Sequence, residues 1–109
     1  MTTFLRGSLA LAVLLSARLA GADIASVSLY TDRCAMCHGT TGKGDGPMGK
    51  KLKTADWSDG KTLEGMTDAE VGKVIRVGKA AMPDYPKLTD AQLAAMVAYL
   101  RTFQKPAAP

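Results

Sequence analysis

Apolar residues recur with a helical period in three stretches of this chain, and glycine or proline breaks the pattern between them. Ile24, Val27, Tyr30 and Cys34 fall on one face of a helix predicted over residues 23–33. Thr67-x-x-Glu70 reads as a capping box opening a second helix, with Val71, Val74 and Ile75 as its stripe and Gly78 as its stop. Thr89-x-x-Gln92 opens a third, in which Leu93, Met96, Val97 and Leu100 follow i, i+3, i+4 and i+7, the strongest periodicity in the chain. No stretch alternates as a strand would, and no segment repeats. The predicted fold class is all-α.

The connections differ in kind. Residues 39–49 hold five glycines and a proline, which predicts a loop whose backbone approaches something closely. Residues 50–65 are mostly polar, with Trp57 as their one large apolar anchor and room for a short helical turn. Lys105 to Pro109 reads as a frayed tail.

At the other end, a single basic residue within 1–6, a Leu/Ala-rich run over 7–17 and Ala20-Gly21-Ala22 predict a secretory signal over 1–22, cleaved after Ala22. The apolar run is shorter than the roughly 20 residues a membrane-spanning helix needs. The mature chain, residues 23–109, is one domain of 87 residues, small for a self-sufficient core. Its charge falls from +4 to +2 once Arg6 and Arg18 leave with the signal, and it has no basic stripe with interleaved aromatics, so nucleic-acid binding is not indicated. Lysines 50, 51, 53, 79 and 87 read by default as solvated surface residues.

The chemistry is concentrated in Cys34-Ala35-Met36-Cys37-His38, which contains both cysteines and the only histidine of the chain. Two thiols three residues apart can add to the two vinyl groups of one haem, and the adjacent imidazole can ligate its iron. A redox dithiol would want a βαβ context, and zinc would want a fourth ligand, so both fit less well. Covalent haem would also give the small core a large apolar surface, and its attachment suits an exported chain.

With one histidine, the iron's sixth position falls to methionine or lysine, or stays open. Met36 lies between the anchors, Met48 in the glycine loop, Met66 before a helix cap and Met96 on a core stripe. Met82 lies between two helices in a loop that can wrap the far face, and Pro83 stiffens it. Met82 is the expected distal ligand, beside His38.

These features resemble a class I cytochrome c. The resemblance rests on Cys34 to His38, Gly-Lys-Gly-Asp-Gly-Pro at 42–47, Ala81-Met82-Pro83 and Ala98-Tyr99-Leu100-Arg101, and it covers the mature chain. It implies a cytochrome c fold, with three main helices and loops wrapped around one covalently bound haem c. In that fold Ser26 and Tyr30 would meet Met96 and Tyr99 where the first and last helices cross. It further implies that the Pro47 carbonyl supports the proximal imidazole, and that the Trp57 indole contacts a haem propionate. The implied function is single-electron transfer between periplasmic redox partners, a donor and an acceptor, without catalysis. The chain would act as a monomer or as a subunit of a redox complex, and not stably inserted in the membrane. The alternatives are a haem enzyme or gas-binding protein with an open sixth position, and an electron-accepting subunit of a larger dehydrogenase or oxidase. The first would want distal acid–base groups, and the chain's acids do not cluster near Met82.

Overall fold

A computed structural model describes residues 23–104. The signal segment and the tail lie outside the described residues. Helix α1 spans Ile24–Arg33, α2 Ala35–His38, α3 Gly49–Leu52, α4 Asp68–Val77 and α5 Asp90–Arg101. The three long helices are the predicted ones. Helix α2, the cysteine–histidine segment itself, is an addition, and α3 is a single turn where the glycine loop runs into residues 50–65, the stretch that leaves room for one. Among the described residues there is no strand, only an isolated bridge between Lys79 and Met82, and no helix is long and apolar enough to cross a membrane.

Local chemistry starts each long helix. Asp23 caps α1 by accepting from the Ser26 N–H at 2.7 Å, which holds its carboxyl below the usual range. Both predicted capping boxes form. Thr67 and Glu70 exchange bonds of 2.8 and 3.2 Å, and Thr89 and Gln92 bonds of 2.9 and 3.1 Å. Gly78 ends α4 at φ 79°, its N–H bonded to the Val74 carbonyl.

Helix α5 packs on α1 and α4. The core consists of Tyr30, Leu63, Val71, Ile75, Met96, Val97 and Leu100. Tyr30, 1 % exposed, meets Tyr99 edge-on with ring centroids 5.3 Å apart, and Phe103 extends the cluster at 5.1 Å. The expected face of α1 is corrected here. Ile24 is 87 % exposed and Val27 is exposed as well, while Ser26 and Tyr30 are buried. A small residue and an aromatic four apart turn toward α5, and that crossing outweighs the local apolar count. At the α4–α5 contact Gly72 plays the small-residue part, because a Cβ there would sit 3.2 Å from the Leu93 side chain.

Arg101, the last residue of α5, ties the intervening segment down. Its guanidinium donates to the Leu63 carbonyl at 2.5 Å, the Met66 carbonyl at 2.6 Å and the Asp68 carboxylate at 2.9 Å. One side chain thereby fixes the approach to α4.

Candidate functional site

Helix α2 has only one turn, so its C-terminal carbonyls need partners from elsewhere. The glycine loop supplies them. The Gly44 N–H donates to the His38 carbonyl at 2.9 Å, Gly46 to Cys37 at 3.3 Å and Met48 to Met36 at 2.9 Å. The Tyr30 hydroxyl adds a bond of 2.6 Å to the Gly39 carbonyl. A side chain at Gly46 would run into the Ala35 and Met36 carbonyls, and one at Gly49 into the Cys37 carbonyl. These are the close approaches that the glycine spacing predicts, and they lock the cysteine–histidine turn in place.

That turn forms one wall of a cavity of about 440 Å³, within the range of about 300–1,000 Å³ usual for cofactor sites. Cys34, Cys37, His38, Trp57, Met66 and Met82 all face it. Both cysteines are free thiols. Burial, and then the neighbouring Cys37, push the Cys34 thiol up to about 11, so it remains protonated. Burial lowers His38 to about 4, which leaves its imidazole neutral and able to donate a lone pair at ordinary pH.

Trp57 stacks on that imidazole, with centroids 3.9 Å apart and planes 18° from parallel. The sequence carries no signal for this stack, since the indole contact that the resemblance implies is to a propionate and not to the imidazole. His38 Nδ1 is buried and has no hydrogen-bond partner, so the bond to the Pro47 carbonyl that the resemblance implies is not made here.

Met82 lines the same cavity. Its backbone exchanges two bonds with Lys79, N–H to O at 2.9 Å and O from N–H at 3.2 Å, which closes a two-residue turn. Ala80, first of the two central residues, has φ 53°, a conformation that favours glycine. The Tyr85 N–H bonds to the Ile75 carbonyl, and its hydroxyl to the Arg33 carbonyl at 3.2 Å, which ties this loop to the end of α1. Of the other methionines, Met96 is core and Met36 and Met48 are exposed. Met66 is the surprise: besides packing on the core, it reaches the cavity wall.

The donor set fits a covalently held haem. Two free thiols, a neutral imidazole with a buried and partnerless ring nitrogen, and thioethers on the wall all converge on one largely apolar cavity. The family model described as cytochrome c oxidase, cbb3-type, subunit III matches residues 24–100. Among solved structures, a protein named KustC0563 c-type cytochrome is similar at 27% identity and a TM-score of 0.65, over 73% of this chain and 98% of that one. No curated protein matches. The chain belongs to the matched family of c-type cytochrome domains. Its fold is the all-α cytochrome c fold, and the family's chemistry is electron transfer through a c-type haem.

Proposed function

We propose, on the premise of that membership, that this protein is an extracytoplasmic single-electron carrier whose haem is held by Cys34 and Cys37 and ligated by His38 and Met82. Bound there, the haem supplies a one-electron couple between ferrous and ferric iron. The thiols of Cys34 and Cys37 anchor it as thioethers. His38 offers a neutral imidazole, which the Trp57 stack keeps in one orientation. Its partnerless Nδ1 is the donor that the Pro47 carbonyl would satisfy, with a gain in ligand basicity. Met82 contributes a neutral, polarizable thioether that favours the ferrous state. A Trp57 contact to a propionate stays part of this proposal.

The observation that carries the reading is the convergence of both cysteines, the histidine and Met82 on one cavity. Met82 is preferred over Met66 because its turn is closed by its own backbone bonds and followed by Pro83, whereas the Met66 carbonyl is tied to Arg101 in the segment that caps α4. The test is carbon monoxide binding to the reduced Met82→Ala, Met66→Ala and Met48→Ala variants. Met82→Ala should bind it rapidly, lose the iron–sulfur absorbance of the ferric form and show a lowered reduction potential, while the other two keep the parent's spectrum. Rapid binding by Met66→Ala, with none by Met82→Ala, overturns the assignment.

The family description favours a second reading, in which the carrier delivers electrons as part of a terminal oxidase. Co-purification of an oxidase with the tagged, haem-loaded protein would support it, and recovery of the free monomer would favour a mobile shuttle between periplasmic partners.

A further inference from the structure

The cavity wall carries charge of one sign. Arg33, Lys53 and Lys79 line it, and among the described residues no Asp or Glu does. Cations that share one wall repel each other unless an anion enters between them.

The three differ in setting. Arg33 immediately precedes Cys34, and Lys79 belongs to the turn that carries Met82. Lys53 lies on a separate stretch beside Thr54 and Ala55, both of which also line the cavity. Its backbone is left-handed, φ 55°, where it ends α3 with its N–H directed at the Gly49 and Lys50 carbonyls. Glycine or asparagine is the usual residue in that role, because a left-handed conformation costs an L-residue about 1–2 kcal/mol. The helix end therefore does not by itself call for a lysine.

Haem has its two carboxylates on the macrocycle edge opposite its two vinyl groups. With the vinyls on Cys34 and Cys37, the carboxylates would lie on the macrocycle edge away from those two cysteines. We infer that Lys53 is the counter-ion of a haem carboxylate, with the Thr54 hydroxyl as its neighbour on the same wall. The inference rests on the haem attachment proposed above. Its consequence is electrostatic: an unneutralised carboxylate favours the more positive ferric form, so pairing with Lys53 raises the reduction potential.

The test uses the haem-loaded protein as Lys53→Met, Lys53→Arg and, as a control on the same short helix but outside the cavity wall, Lys50→Met. Lys53→Met should lower the midpoint potential enough to shift the ferric-to-ferrous ratio several-fold at fixed ambient potential. It should also move the propionate bending vibration in the resonance Raman spectrum. Lys53→Arg should keep most of both properties, and Lys50→Met should leave both unchanged. Circular dichroism and haem content show whether each variant is folded and loaded. A folded Lys53→Met protein with the parent's potential and propionate vibration overturns the inference. If the parent lacks the iron–sulfur absorbance, methionine ligation fails, while the Raman comparison still decides the role of Lys53.

Discussion

On the histidine side of the cavity, three N–H groups of the glycine loop close the carbonyls of a one-turn helix, and glycines stand where any side chain would strike backbone. On the methionine side, a two-residue turn holds itself together, its central alanines are exposed, and one of them sits at positive φ. The first wall is over-determined by non-local backbone contacts. The second is a short closed loop tethered at Tyr85. The difference separates two tasks. On the attachment and ligation proposed above, the attachment turn would have to present three side chains in fixed register, whereas the distal wall would have only to keep one thioether within reach.

The largest test of this contrast removes the attachment altogether. In the Cys34→Ala/Cys37→Ala double variant the small core would lose the covalent apolar partner proposed for it, and we expect the chain to be largely unfolded and degraded. Recovery of a compact, haem-free helical protein would break the argument. Next in size is Gly49→Ala, which drives a methyl group into the Cys37 carbonyl and should cost about 1–3 kcal/mol or more, measured by denaturant unfolding of the holoprotein. An equal loss from Ala81→Ser, on the exposed distal turn, would erase the distinction between the two walls.

Acid probes the histidine wall without mutation. Burial depresses His38 from an ordinary value of about 6.5 to about 4. Its contribution to stability is therefore full above about pH 6.5 and is lost as pH falls through about 4. On the ligation proposed above, an iron bond would push that loss lower still, so spectroscopic release of the imidazole should have its midpoint below about pH 4. A midpoint near 6.5 would mean that the ring is open to solvent. The smallest effect belongs to the distal turn. Ala80→Gly relieves the positive φ but adds freedom to the unfolded chain, and should stabilise by at most about 1 kcal/mol in thermal unfolding.

Legibility in the sequence followed locality. The cysteine–histidine turn could be read because its chemistry is contiguous, and the capping boxes because each closes within four residues. Met82 could be singled out by elimination and by Pro83. The apolar pattern alone misplaces the buried face of α1, because the crossing with α5 selects Ser26, as the family resemblance implies, over the more apolar Ile24 and Val27. Arg101 gave no signal of its three-way clamp, which reaches back as far as 38 residues to Leu63. Met66 looked like a helix staple, and it does pack on the core, but its place on the cavity wall depends on how α4 is set by that same clamp. The Trp57 stack on His38 likewise joins a loop to the end of α2, whose relative position only the assembled core determines.

The Tyr85 hydroxyl bond to the Arg33 carbonyl spans 52 residues of sequence and shortens the free stretch around Met82 to a few residues. On the ligation proposed above, the thioether behaves as a tethered ligand with an effective concentration at least on the order of millimolar, the value for short flexible linkers. A small molecule competing for the same coordination position must exceed that concentration, or bind intrinsically more tightly, to displace it. Tyr85→Phe leaves only the backbone bond to the Ile75 carbonyl, so the loop loosens and its own ligand is diluted. On that ligation, resistance to inhibitors such as cyanide or imidazole depends in part on a phenol bonded to the carbonyl of Arg33, 52 residues away and next to the attachment turn.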